Sequence, residues 1–233
     1  MVITGAGNGI MEAGHVGAGR ENSIGVNILL PFEQSANSII NGDPKLMHLK
    51  YFFTRKLMFV KESDAVILFP GGFGTLDEGF EVLTLLQTGK SHLFPVVMVD
   101  VPGSDYWHHF NTFCKNVLLN RKLISEFDLA LFKVTSSVDE AMEEVMGFYR
   151  VYHSMRYVKG DLVLRLNKKL EGEKLESIRV EFADLLKGGT FDITGPLPEE
   201  ANETNLAHLP RLKFRFDRHK LGRLRMLIDA INK

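Results

Sequence analysis

Cysteine is nearly absent. Cys114 is the one example in 233 residues, so no intramolecular disulfide and no paired-cysteine metal site can form, and the core must be hydrophobic. That usage fits a reducing compartment, and the cytoplasm is the expected location. An excess of one charge is also missing, because 28 Lys+Arg oppose 29 Asp+Glu for a formal net charge of −1. A general nucleic-acid binder needs a basic surplus on some face. The basic residues that do gather, from Arg211 to Arg225, alternate with Leu and Phe as a half-buried strand and helix would. No nucleic-acid partner is expected. No apolar run approaches the ~20 residues of a membrane helix, and no basic segment followed by an apolar one opens the chain as written. Neither a membrane nor a secretory route is expected.

What is present is an ordinary globular composition, 45% apolar and 24% charged. Up to about residue 150, strand-like and helix-like segments alternate. Residues 24–30, 65–69, 94–99 and 129–134 are short apolar runs rich in β-branched residues, as strands buried on both faces should be. Between them lie helical patterns at 48–62, 76–88, 106–120 and 138–150. This rhythm predicts βαβ units and an α/β, Rossmann-like parallel sheet with helices on both faces. Beyond that point the rhythm breaks. A strand at 157–166, a helix at 173–187, short strands at 190–194 and 211–216 and a helix at 219–231 predict a small α+β appendage. The stretch 195–209, with two prolines and many polar residues, reads as a loop or linker. The expected division is a nucleotide-binding domain over 1–150 and an extension over 151–233.

The strongest local signal runs from Asp64 to Glu78. A buried strand ends in Pro70-Gly71-Gly72-Phe73-Gly74-Thr75, and a helix begins at once. Backbone N–H groups at a helix N-terminus, together with the macrodipole, favour an anion such as phosphate. No Gly-Lys-Ser/Thr follows, so triphosphate and Mg²⁺ chemistry has no support. Thr75 and Glu78 also read as a capping box, which needs no ligand. The glycine density separates the two readings, because a capped helix does not require Gly71-Gly72-x-Gly74. Glycines so placed let something approach the backbone.

A second cluster, Gly5-x-Gly7-Asn8-Gly9-Ile10-Met11, again follows a strand and opens a helix, although its sixth position is Ile10 and not the glycine or alanine of a dinucleotide loop. Two such loops after apolar strands point to a nucleotide site at the carboxyl edge of a sheet. Arg55, in the helix that leads into strand 65–69, could reach a ligand there with a planar, permanently charged fork. The abrupt start on Val2-Ile3 looks like a strand caught at its loop, and upstream elements are expected before it.

These residues resemble the LONELY GUY family, often labelled "possible lysine decarboxylase". Pro70-Gly71-Gly72-Phe73-Gly74-Thr75-Leu76-Asp77-Glu78 matches its PGGxGTxxE signature, the helix carrying Arg55, Lys56 and Met58 is similar to its RKxxM-like element, and Gly5-Ala6-Gly7-Asn8-Gly9-Ile10-Met11 resembles its GGGxxGIM loop, with Ala6 at the middle glycine. The resemblance covers about residues 1–150. It implies a phosphoribohydrolase that cleaves the N-glycosidic bond of a nucleoside 5′-monophosphate, of the cytokinin-activating or general nucleotide-salvage type. A non-catalytic nucleotide- or cofactor-binding module uses the same loops and is the alternative. Carried over by motif, Arg55 and Glu78 are catalytic. Gly71, Gly72, Gly74 and Thr75 hold the 5′-phosphate, Gly5, Gly7, Asn8, Gly9 and Met11 border the nucleotide, and Lys56 assists binding. No cofactor and no metal are implied, and no lysine has a recognisable pyridoxal-phosphate context. A homodimer or higher homo-oligomer is expected, with the site near the subunit interface. The family's first strand and its glycine-serine loop have no counterpart here, so an open pocket wall beside Gly5–Gly9 is expected.

Other residues carry ordinary readings. His108 and His109 are adjacent and diverge on a helix, His15 is one of several scattered histidines, and Cys114 reads as a small core residue.

Overall fold

The computed structural model describes residues 1–28 and 35–233. Two compact units result, Met1–Asp64 and Ala65–Lys233.

The first unit contains β1 (Val2–Thr4), α1 (Ile10–Ala18), β2 (Ser23–Ile28), β3 (Leu46–Leu49) and α2 (Phe52–Lys61). Its strands form a parallel sheet in the order β1-β2-β3, with Ile3 opposite Ile24 and Val26 opposite Met47. α1 packs on β1, and α2 packs on β2 and β3. A Cβ on Gly25 would lie 2.7 Å from the Leu46 side chain, so the close approach of this strand to its neighbour requires glycine. Leu46–Leu49 belongs to a strand, whereas the periodicity placed residues 48 and 49 in a helix. Pairing with Gly25–Ile28 overrides the local preference. Leu29 and Leu30 of the expected strand 24–30 lie outside the described residues.

The second unit continues with β4 (Val66–Leu68), α3 (Phe73–Gln87), β5 (Val96–Val99), α4 (Tyr106–Phe113), β6 (Lys133–Thr135) and α5 (Val138–Phe148). Strands β4-β5-β6 are again parallel. β5 lies at the centre, and Val96, Val97 and Met98 are fully buried, as their unbroken apolar run requires. Ala141 of α5 closes over Val97 and Val99. Both units are thus Rossmann-like, parallel strands flanked by helices. The expected strand 129–134 is corrected. Residues Glu126–Leu131 form a 3₁₀ helix, started by a capping box in which Ser125 N–H donates to Asp128 Oδ2 at 2.8 Å. α4 likewise ends at Phe113 and passes into a wider π-helical segment, Cys114–Leu119. Cys114 is buried there, and burial pushes its thiol up to about 11, so it is packed and unreactive.

The same unit carries an antiparallel sheet, β7 (Tyr152–Val158), β8 (Asp161–Leu166), β9 (Asp192–Thr194) and β10 (Arg211–Phe214), in the order β7-β8-β10-β9, with helices α6 (Gly172–Glu181) and α7 (Leu221–Asn232). Where the pattern predicted one strand over 157–166, there is a hairpin. Lys159 at φ 49° and Gly160 at φ 91° make the two-residue turn, both in the left-handed region that such a turn demands. The expected helix 173–187 ends at Glu181, followed by a 3₁₀ turn over Ala183–Leu185. α7 docks at close range, since a Cβ on Gly222 would collide with the Phe127 backbone. Its last turn is tied down by Asn232, whose Oδ1 accepts from the N–H groups of Val151 and Tyr152 at 2.7 and 3.0 Å.

Residues 195–209 are not a linker. Two short 3₁₀ turns, Pro198–Glu200 and Thr204–Leu206, hold them over the sheet. Glu200, 3% exposed, accepts from Arg165 Nε at 2.9 Å and from Arg211 Nε at 3.1 Å. Burial alone would raise its pKa. The Leu197 N–H and the two guanidiniums outweigh that and hold the carboxyl at about 2.

Candidate functional site

β4 delivers the chain into Phe69-Pro70-Gly71-Gly72, and α3 starts with Phe73. This is the carboxyl end of a parallel strand, where open α/β sheets place their ligands. Gly72 is the N-cap, and its carbonyl accepts from Thr75 N–H at 3.1 Å and Leu76 N–H at 3.3 Å. Thr75 therefore lies inside the first turn, and the expected capping box between Thr75 and Glu78 does not form. The Thr75 hydroxyl instead occupies the place that a Cβ on Gly71 would take. Gly71 is thus glycine because Thr75 packs against it.

The other two glycines have no such internal reason. A Cβ on Gly72 or Gly74 would meet nothing within 4 Å, neither φ is positive, and both residues are exposed. The first N–H groups of a 15-residue helix open onto this space and have no acceptor in their own helix. Glu78 stands one turn further along α3, half-buried, with Gly79 beneath it. A Cβ on Gly79 would lie 3.0 Å from Leu68 Cδ1, so α3 rides directly on β4, and that contact sets the height of the loop. Gly71, Gly72, Gly74, Thr75 and Glu78 thus share one strand–loop–helix connection.

In the first unit the glycine loop between β1 and α1 is equally defined. Ala6 is fully buried at φ 62°, in a conformation glycine would adopt freely. Its strain is held by neighbours. Ala6 N–H donates to Thr4 Oγ1 at 3.0 Å, and Ala6 O accepts from Asn37 N–H at 2.8 Å. Asn37 Nδ2 also donates to Gly7 O at 3.0 Å, and the fully buried His15 bonds Thr4 Oγ1 at 3.0 Å and the Asn37 side chain. Met11 folds back over the loop, with Gly7 N–H 3.4 Å from its sulfur. The Cβ position of Gly5 lies 3.0 Å from Met11 Sδ and 3.7 Å from Arg55 Nη1. Gly5, Gly7, Met11 and Arg55 therefore meet around one loop. Asn8 and Gly9 form its exposed tip, and Gly9 opens α1 at φ 68°. The Arg55 guanidinium lies over the Phe52 and Phe59 rings, 5.2 and 5.7 Å from their centroids. Lys56 is half-buried beside it on α2.

Three participants escaped the sequence. His15 and Asn37 hold the first loop from 22 residues apart in sequence, and Tyr106 donates its hydroxyl to Gly71 O at 2.7 Å across 35 residues. None of them carries a short-range signal. Among the described residues no group of three or more His, Cys, Asp or Glu side chains could hold a metal, and no helix is long and apolar enough to cross a membrane. A cavity of about 540 Å³ opens elsewhere in the second unit, bordered by Lys115, Phe127, Phe132 and Met226. It contains none of the residues that the motifs single out.

Residues 6–145 match the family model described as "Possible lysine decarboxylase". The chain is similar to two probable cytokinin riboside 5′-monophosphate phosphoribohydrolases of Oryza sativa subsp. japonica. One is 44% identical over 59 residues, covering 25% of this chain and 26% of that protein. The other is 34% identical over 94 residues, covering 40% and 36%. It is also similar to the cytokinin riboside 5′-monophosphate phosphoribohydrolase of Mycobacterium tuberculosis, 37% identical over 90 residues, 38% of this chain and 45% of that one. The matched stretches span less than half the length of each relative.

Proposed function

Because the chain belongs to the LONELY GUY family, whose model bears the description possible lysine decarboxylase, we propose that it hydrolyses the N-glycosidic bond of a nucleoside 5′-monophosphate, releasing a free base and ribose 5-phosphate. The observation that carries this reading is the open space over Gly72 and Gly74 at the start of α3. Glycines that neither adopt a left-handed backbone nor touch another group are explained by a ligand seated on their N–H groups. A 5′-phosphate is the ligand that this geometry and the helix dipole favour.

In the proposed reaction water adds to C1′ as the C1′–N bond breaks, the bond's electron pair leaves with the base, and the water's proton ends on the base. The ribosyl group becomes cationic along the way. A carboxylate beside it stabilises that charge or orients the water, and we assign this role to Glu78. Arg55, permanently charged and seated over two phenylalanine rings, binds phosphate or stabilises charge on the departing base. Gly71, Gly72, Gly74 and Thr75 hold the phosphate. Gly5, Gly7, Asn8, Gly9, Met11 and Lys56 border the rest of the nucleotide. A cytoplasmic homo-oligomer completes the proposal, supported by the exposed Phe52, Phe53 and Phe80.

The test is incubation with a panel of purine, pyrimidine and cytokinin nucleoside 5′-monophosphates, with ribose 5-phosphate and free base as the readout. Stoichiometric release of both from at least one nucleotide is expected. Tight binding without release points to a non-catalytic nucleotide module and sinks the hydrolase reading.

A further inference from the structure

We propose that Tyr106 is a positioning residue for the phosphate loop: its hydroxyl fixes the Gly71 carbonyl and thereby aims the Gly72 N–H toward the 5′-phosphate. The inference rests on the proposed activity and adds to it a residue that lies outside the glycine motif.

The geometry follows from the peptide unit. Gly71 C=O and Gly72 N–H belong to one planar trans peptide, in which carbonyl and N–H point in opposite directions. Tyr106 Oη donates to that carbonyl at 2.7 Å. Whatever direction the hydroxyl imposes on the oxygen, the N–H takes the reverse, away from the tyrosine. The Thr75 hydroxyl fills the space where a Gly71 side chain would stand. The peptide therefore has two neighbours beside it, one at its carbonyl and one at the Gly71 Cα. Glycine-rich loops are the segments most free to rotate such a unit, and a rotated peptide would present carbonyl oxygen, not N–H, to an incoming anion. Tyr106 opposes that rotation.

The residue that carries the hydroxyl is itself anchored beside the sheet. Asp100, 6% exposed just beyond β5, accepts from Trp107 N–H at 2.9 Å and from Ser104 Oγ at 2.9 Å. Ser104 Oγ in turn accepts from Tyr106 N–H at 3.2 Å. The Tyr106 ring meets the buried Trp107 ring edge-on at 4.8 Å. Backbone and ring of Tyr106 are thus secured without its hydroxyl, which leaves the hydroxyl to serve the loop. The neighbouring βα connection, not the motif, sets the direction of the N–H.

Tyr106→Phe in the full chain isolates the hydroxyl, because ring packing is kept. The Kd for ribose 5-phosphate should rise about tenfold, the worth of one hydrogen bond to a charged group. KM for the nucleoside monophosphate should rise in parallel, with kcat within about twofold. Affinity for the unphosphorylated nucleoside should stay unchanged, a readout that a merely structural role would not spare. Wild-type protein that binds ribose 5-phosphate but cleaves no nucleotide overturns the hydrolase reading alone and leaves Tyr106 tested by the Kd. An unchanged Kd in Tyr106→Phe, or equal losses for nucleoside and nucleotide, overturns the positioning role. Wild-type protein that cleaves a nucleotide but binds no ribose 5-phosphate overturns the positioning role alone.

Discussion

Substituting Gly74 by alanine separates a structural from a ligand-binding origin of the glycine loop. Gly74 is the second residue of α3, its φ is not positive, and an added Cβ would meet nothing within 4 Å. No strain or clash opposes the methyl group. Replacing a helical glycine by alanine gains about 0.5–1 kcal/mol, largely by restricting the unfolded chain. The isolated protein should therefore be more stable by about that amount, read as a higher urea midpoint with an unchanged slope. In the presence of ligand the sign reverses. A phosphate oxygen seated on a helix N–H lies about 2.9 Å from the nitrogen, and the new methyl group stands in the space through which it arrives. The loss of one such charge-assisted contact weakens ribose 5-phosphate binding about tenfold, or about 1.4 kcal/mol. Titration calorimetry beside urea unfolding tests both halves. A variant that is more stable and binds as well as wild type would refute the ligand argument. A destabilised variant would refute the reasoning about the open space.

Glu78→Gln should lower turnover at least about a hundredfold, since the charge beside the ribosyl cation is lost, while the far-UV spectrum stays that of wild type; near-normal turnover removes Glu78 from catalysis. Glu200→Gln leaves the fully buried Arg211 without its carboxylate and should cost about 3–5 kcal/mol in chemical denaturation. Because the folded carboxyl is held near 2 against an ordinary 4.5, this stability is complete above pH 4.5 and is lost as the pH falls toward 2; a wild-type unfolding midpoint that stays level from pH 5 to pH 3 contradicts it. Light scattering at micromolar concentration should give at least twice the 26.3 kDa chain mass, and a monomer eliminates the proposed oligomer.

The parts of this molecule that were legible in its sequence are those written in short-range pattern. Alternation of β-branched runs with amphipathic stretches identified the parallel sheets, because strands such as Val96–Val99, buried on both faces, leave an unbroken apolar signature. The glycine loops were legible for the same reason. Misreadings arose where a partner distant in sequence decides. Leu46–Leu49 is a strand because Gly25–Ile28 lies beside it. Residues 195–209 look like a linker by composition, and only the arginines of β8 and β10 turn Glu200 inward. The hairpin at Lys159-Gly160 went unseen because lysine seldom occupies a left-handed turn position.

The same distinction explains how the candidate site divides between motif and scaffold. In the proposed site the motif supplies the groups a nucleotide would meet, the N–H donors of α3 and the carboxylate of Glu78. In each unit, the conformation of the glycine loop is set by residues outside its motif. Gly79 fits α3 onto Leu68, Tyr106 holds the Gly71 carbonyl, and His15 with Asn37 holds Ala6 in a conformation that alanine does not choose. Each acts through one or two hydrogen bonds or a single close contact, and each depends on an element 11 to 35 residues away. Such residues tolerate little change in length or polarity although no local pattern announces them. A relative that keeps Pro-Gly-Gly-x-Gly-Thr but places phenylalanine at the position of Tyr106 would share the motif and lack one of its aligning contacts. Weaker phosphate affinity would then follow without any change in the signature by which the family is recognised.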